Sequence, residues 1–317
     1  MQQPPKNLIV CIEGPTASGK SELAELFAQH INGEIISADS MQIYRGMDIG
    51  TAKTPLEKRN TTYYCIDICD PGNPYSAALF QHDAREAIKK IESKKKRVII
   101  CGGTGFYVRA TIDDMQFVSG TQTDNPVRQK YENIVEQMGS EKGSLHVYGI
   151  LEKKDPISAA LIHPNNVKRV IRALEMHEAG QSYAKRKENF KNIKPWAKSL
   201  RFALKVDPDL LVKRIDARVD VMVEAGLIDE VKLLLDKGFR EGLCAPQAIG
   251  YKEIVSYLDG AISKNEAIEL IKIHTRRYAK KQRTWLRSQK NIVWLNADSE
   301  DSKTLFIEAF KYYKQRS

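Results

Sequence analysis

The chain has 317 residues, 42% of them hydrophobic and 28% charged, with a formal net charge of +10. That length allows a full hydrophobic core and about two domains, and the composition is that of an ordinary soluble globular protein. No run approaches the ~20 unbroken apolar residues of a membrane span, and residues 1–6 are too short and polar for a signal peptide.

The charge is unevenly placed. Residues 1–150 hold 17 Lys and Arg against 18 Asp and Glu, so all the excess, a net +11, lies in residues 151–317. A basic load of this kind points to a polyanionic partner, although a lysine-rich solvated face gives the same count. Cys11, Cys65, Cys69, Cys101 and Cys244 form no C-x-x-C pair. They read as buried free thiols in a reducing cytoplasm rather than as a zinc site.

In chain order, an apolar strand at 8–12 leads into Gly14-Pro15-Thr16-Ala17-Ser18-Gly19-Lys20-Ser21, which opens an amphipathic helix with Leu23, Leu26, Phe27 and Ile31 on one face. Strand, glycine loop and helix are the context that gives the G-x-x-x-x-G-K-[ST] pattern its meaning as a phosphate-binding loop. Glycines let several backbone N–H groups converge on one anion, and the helix N-terminus adds partial positive charge. Lys20 is placed for a terminal phosphate and the Ser21 hydroxyl for magnesium. ATP binding is the general reading of such a loop. A second strand at 34–37 ends at Asp39, a carboxylate facing the crevice where doubly wound sheets bind ligands; capping the next turn is its plainer role. Residues 45–62 read as loop, a helix runs from about 76 towards 90, and 94–97 is a solvated helix end before a buried strand at 98–101.

That strand ends in Gly102-Gly103-Thr104-Gly105, where a hydrolytic motor would carry an aspartate for magnesium and water. The turn argues against such an ATPase. From about 117 to 195 the strand–helix alternation gives way to helices, at 126–138, 156–161 and 165–178, the pattern of an inserted helical domain. The last of these carries Lys168, Arg169 and Arg172. A strand at 199–206 and one long helix at 210–237 resume the core, with Arg214 and Arg218 four apart on one side. An arginine from such a helix can neutralise charge on a departing phosphate. The segment 247–251 reads as a compact turn with a stackable aromatic, Tyr251. Between Arg276 and Lys290 there are seven basic residues and no acidic one. Arg276, Lys280, Arg283 and Arg287 form one stripe of this helix beside Tyr278 and Trp285, a pattern suited to RNA, though packing on the core is the simpler role for Trp285. A strand at 291–295 and a short helix close the chain.

Taken together and in this order, GPTASGKS, DSMQIYRGMDIGTAK, GGTGFY, DP-ISA-IHPNN-KRVIRALE, RVDVMVEAGLIDEV, QAIGYKE and TRRYAKKQRTW resemble the bacterial tRNA dimethylallyltransferases, over about residues 8–288. The resemblance departs at Tyr63-Tyr64-Cys65, where the family often has paired histidines, at Thr54, where proline is usual, and in the linker at 119–123. It implies an α/β fold with a P-loop NTPase-like parallel sheet flanked by helices, divided as residues 1–116 and 196–317 of the core around a helical insert at 117–195. The expected protein is cytoplasmic and a monomer, and the resemblance implies that its P-loop holds dimethylallyl diphosphate with magnesium on Ser21. Asp39 is then the general base, and Arg218 with Thr104 steadies the leaving diphosphate. The segments matching the family's contacts with the tRNA anticodon stem-loop contribute Asp39, Ser40, Met41, Gln42, Thr104, Arg128, Lys168, Arg169, Val170, Ile171, Arg172, Gln247, Gly250, Tyr251, Lys280, Lys281, Gln282, Arg283, Trp285 and Arg287.

Three other functions compete. A P-loop nucleotide kinase explains the loop and insert but not the basic second half. A prenyltransferase acting on free adenine nucleotides has no use for the insert or the basic helix. A non-catalytic RNA-binding module has no need of Lys20.

Overall fold

The computed structural model describes residues 3–117, 125–190, 193–299 and 301–316, so the 119–123 linker lies outside the described residues. The chain divides into two compact units, residues 1–114 with 195–317, and residues 115–194.

In the first unit the strands are β1 (Ile9–Glu13), β2 (Gly33–Ser37), β3 (Tyr63–Tyr64), β4 (Arg97–Gly102), β5 (Ser199–Lys205) and β6 (Ile292–Asn296). They form one sheet in the order β3-β2-β4-β1-β5-β6, with every pairing parallel. Every residue of β1 and β2 is buried, as expected of strands covered on both faces. Helix α1 (Lys20–Ile31) covers one face and α2 (Ala77–Ser93) and α3 (Gly105–Ile112) cover the other. The Ser76 hydroxyl caps α2 by accepting from the Leu79 N–H.

The second unit is helical: α4 (Pro126–Met138), α5 (Ser140–Lys154), α6 (Pro156–Ala159), α7 (Val167–Glu178) and α8 (Tyr183–Asn189). Helix α5 has no counterpart among the expected helices, because Gly143 and Gly149 interrupt a weak apolar period. Tyr131, Val147, Leu151, Val170, Ile171 and Leu174 make its core. Val170 and Ile171, expected at an RNA surface, are 1% and 2% exposed, so their side chains serve packing instead.

The first unit then continues through α9 (Pro208–Glu224), α10 (Leu227–Leu235), α11 (Tyr251–Leu258), α12 (Lys264–Arg287) and α13 (Ser302–Lys314). The single helix expected over 210–237 is two, because Gly226 at φ 99° ends the first turn sequence and begins the next. Helix α13 lies against α1, with Phe306 edge-on to Phe27 at 5.1 Å between ring centroids. Burying a side chain such as Phe27 is worth about 1.5–3 kcal/mol. The basic run at 94–97 is more than a solvated end: Lys94 and Lys96 both pair with the buried Glu34 carboxylate, at 3.2 and 2.8 Å.

Candidate active site

Register brings the reactive ends of three strands to one level. Glu13 pairs with Gly102, and Ser37 pairs with Cys101, so the segments leaving β1, β2 and β4 emerge side by side. They line a cavity of about 870 Å³ whose walls include Thr16, Lys20, Asp39, Arg218, Gln247 and Tyr278.

The loop from Gly14 to Ser21 is wound as an anion cradle. Gly19 sits at φ 86° as the N-cap of α1, which only glycine adopts without strain. A Cβ on Gly14 would stand 2.6 Å from the Ser18 hydroxyl. That hydroxyl is buried and has no partner among the described residues, an orphaned donor inside the cradle. The Lys20 ammonium donates to the Pro15 carbonyl at 3.1 Å. Burial lowers its pKa, Cys101 and Asp39 oppose the shift, and Arg218 adds to it. Burial also lowers Arg218, with Asp39 opposing. Two cations thus flank one carboxylate in a low-dielectric cleft, a charge balance that favours an anionic ligand. Burial pushes the Cys101 thiol up to about 12, so it stays protonated and is no competing nucleophile.

Asp39 leaves β2 with Oδ1 accepting from the N–H of Met41 at 2.9 Å and of Gln42 at 3.4 Å. Its capping role is therefore real, and among the described residues its second oxygen accepts no backbone N–H. Gly102 carries no side chain because a Cβ there would stand 2.1 Å from the Ala38 carbonyl oxygen. The Thr104 N–H donates to that carbonyl at 3.1 Å, and the Thr104 hydroxyl accepts from the Ser40 N–H at 3.1 Å. The turn after β4 is thereby fastened to the segment holding Asp39. Ser21, the second residue of α1, is exposed. Among the described residues no group of three or more His, Cys, Asp or Glu could hold a metal ion. A magnesium ion held by one hydroxyl and the ligand's own phosphate oxygens fits such a donor set.

Several residues expected to face RNA are engaged inside the protein. Gln42 accepts from the Ser37 hydroxyl at 2.8 Å and donates to the Thr51 carbonyl at 3.1 Å. Tyr251 is fully buried, so it is no stacking platform; its hydroxyl donates to Glu230 at 2.6 Å. Arg128 and Arg172 converge on the buried Glu175, at 2.7 and 3.0 Å. Gln282, 6% exposed, bonds to the P-loop and to the turn after β4. Trp285 packs on Gly105, where a Cβ would stand 2.0 Å from its Nε1. Arg214 does not face the cradle; it donates to the carbonyls of Ala297 and Asp298 at 2.8 and 2.7 Å. Of the basic stripe on α12, Arg276 pairs with Asp216. Lys280, Lys281 and Arg287 are exposed and Arg283 is half-buried, while Lys168 and Arg169 are exposed on α7 and Gln247 and Gly250 border the cavity.

Sequence reasoning missed Glu230. Its carboxylate accepts from the N–H groups of Asp48, Ile49 and Gly50 at 2.9, 2.7 and 3.2 Å, fixing the loop that forms another cavity wall. An acid just after the Gly226 break was the only signal. It also missed Glu13 and Arg201, a buried bidentate pair at 2.8 and 3.0 Å beneath the P-loop.

A parallel sheet whose strand ends surround a glycine loop at a helix N-terminus defines an α/β protein with a P-loop-like fold. The IPP transferase family model matches residues 42–289, and the chain belongs to that family. It is 48% identical to the tRNA dimethylallyltransferase of Carboxydothermus hydrogenoformans, over 92% of this chain and 93% of that relative. It is 41% identical to the same enzyme of Lachnoclostridium phytofermentans, over 97% and 98%. Among solved structures, the tRNA isopentenylpyrophosphate transferase of Bacillus halodurans superposes with a TM-score of 0.71 at 40% identity, over 98% of this chain and 96% of the other. A eukaryotic dimethylallyltransferase acting on tRNA gives 0.79 at 28% identity, over 98% and 81%.

Proposed function

We propose that the protein transfers a dimethylallyl group from dimethylallyl diphosphate to the exocyclic amine of the adenine beside the anticodon in tRNA, releasing diphosphate. The observation that carries this reading is the pairing, in the lining of one cavity, of an anion cradle with a carboxylate, Asp39, that follows β2. The names of the relatives support it.

The cradle from Gly14 to Ser21, with Lys20 and the orphaned Ser18 hydroxyl, binds the diphosphate of the donor. Magnesium, held by Ser21, would supply further neutralisation of its charge. The adenine nitrogen attacks the first prenyl carbon, the carbon–oxygen bond to diphosphate breaks, and the leaving group departs with that electron pair. Asp39 takes the proton that the amine loses. Arg218, whose guanidinium stays charged at neutral pH, and the Thr104 hydroxyl stabilise the negative charge growing on the leaving oxygen. A target base stacked in an anticodon loop must first be extruded, at a cost of a few kcal/mol. Lys280, Lys281, Arg283 and Arg287 on α12, and Lys168 and Arg169 on α7, are the cations we assign to the RNA backbone.

A nucleotide kinase is not favoured, because it leaves the basic face of α12 and the placement of Asp39 without a role. Incubation of the protein and tRNA with labelled dimethylallyl diphosphate, and separately with labelled ATP, tests the reading. Label must pass to tRNA from the first and not from the second. Transfer of the ATP phosphate would overturn it.

A further inference from the structure

Gln282 lies in a segment that the family resemblance assigns to RNA, yet its side chain points the other way. The Thr16 N–H donates to Gln282 Oε1 at 2.9 Å, and Gln282 Nε2 donates to the Gly103 carbonyl at 3.0 Å. One buried amide thus spans the P-loop and the turn after β4, two segments that the sequence separates by more than eighty residues. The orientation of the amide is fixed by its neighbours, since one presents only a donor and the other only an acceptor. Gly103 leaves room for this bond: a Cβ there would stand 2.2 Å from Gln282 Nε2 and push the amide aside. Tyr278, one turn earlier on α12, reinforces the arrangement; burial pushes its hydroxyl up to about 12, while hydrogen bonding to Thr104 and Gln282 opposes the shift.

We propose that Gln282 is a positioning residue of the diphosphate cradle, holding Thr16 and Gly103 in register, and is not a contact to RNA. The inference rests on the proposed function for the identity of the ligand, but its geometry concerns the cradle alone. Without the amide, the Thr16 N–H and the Gly103 carbonyl lose their side-chain partner in a half-buried place. The loop then has a reason to turn that N–H elsewhere, and the convergence of N–H groups on the anion is lost.

The test uses the full chain, inorganic diphosphate as probe in a calorimeter, and an anticodon stem-loop RNA in a separate titration. Gln282→Met keeps length and removes both hydrogen bonds. It should weaken diphosphate binding about tenfold while RNA affinity stays within about twofold. Lys281→Ala, on the exposed side of the same helix, should do the reverse. Weakened RNA binding by Gln282→Met with unchanged diphosphate binding would overturn the proposal.

Gln282→Glu supplies a second arm should the Met variant fail to fold. The ionised carboxylate can accept from Thr16 but repels the Gly103 carbonyl; the protonated acid can do both jobs of the amide. Burial and Asp39, which also lines the cavity, raise the pKa of such an acid, while the Thr16 N–H, Lys20 and Arg218 lower it; Cys101 and Tyr278 remain neutral. Diphosphate affinity of this variant relative to wild type should therefore recover as the introduced acid takes up its proton, followed in the same samples by its infrared carbonyl band. A ratio flat across that titration would count against the role. Because neither arm needs turnover, loss of prenyl transfer from the proposed function leaves this test intact. A wild-type protein that transfers the group but ignores Gln282 would sink this inference alone.

Discussion

Asp39→Asn separates the two jobs of that side chain. Asn keeps an oxygen where Oδ1 accepts from the Met41 and Gln42 N–H groups, so the turn after β2 stays capped. What it loses is the ability to take a proton. A positioned base contributes about 10²–10⁴ in rate, which corresponds to about 2.7–5.4 kcal/mol of barrier. Asp39→Ala leaves the same chemistry missing and also strips two N–H groups of their partner, adding about 1–3 kcal/mol of instability for each that stays out of water. Single-turnover transfer from dimethylallyl diphosphate to tRNA should therefore fall by at least about a hundredfold in both variants. Only the Ala variant should melt measurably lower, and RNA affinity should stay within a few fold in each. An Asn variant that transfers at close to the wild-type rate would refute the argument, because capping would then be all that Asp39 does.

Arg218→Ala should lower the rate of transfer by about 10²–10³ with little change in RNA affinity, as removal of one preorganised charge-stabilising donor does; a rate unchanged in single turnover would remove it from the site. Arg283→Ala combined with Arg287→Ala should weaken stem-loop binding and flatten the plot of log affinity against log salt by about 1.4, and an unaltered slope would take this part of α12 off the RNA. Gly102→Ala forces a Cβ to 2.1 Å from a backbone oxygen, so urea denaturation should show a loss at or above the about 1–3 kcal/mol usual for overpacking, whereas a normal midpoint would contradict the packing described. For Glu175, burial alone would raise the pKa, but the bonds from Arg128 and Arg172 outweigh it and hold the carboxyl below its ordinary value. That stability is present above the unfolded value of about 4.3 and is lost as pH falls through the lowered folded value. Glu175→Gln should therefore destabilise the helical unit at neutral pH and shrink its acid dependence below about pH 4.3, as read by its melting, and equal acid sensitivity of both proteins would refute the pairing.

Much of the sheet was legible because its strands are short apolar runs ending in glycines or an acid, and the P-loop lies between an unmistakable strand and helix. The cradle and Asp39 were visible for the same reason: local spacing fixes them. What escaped was set by distance in the chain. Glu230 holds the loop at 48–50 across 180 residues or more, and nothing local marks an acid on an amphipathic helix as an anchor. Gln282 sits in a run of lysines and arginines whose charge implied RNA, and only the fold reveals that its helix turns it inward with Ala279 and Leu286. Tyr251, Val170 and Ile171 misled similarly, because a side chain's type says what it can touch but not which face of its helix is buried. Helix α5 escapes a sequence reading where glycines blur the apolar period, and the stretch over 210–237 reads as one helix because the pattern on either side of Gly226 is apolar.

The central claim is that the cradle presents a prenyl diphosphate to the carboxylate ending β2. A crystal of the protein soaked with a non-reactive analogue of dimethylallyl diphosphate tests it most directly. The diphosphate should lie against the loop from Gly14 to Ser21, with the first prenyl carbon directed into the space beside Asp39 and Arg218. A diphosphate bound there with its hydrocarbon tail directed away from Asp39, or bound elsewhere, would contradict the account.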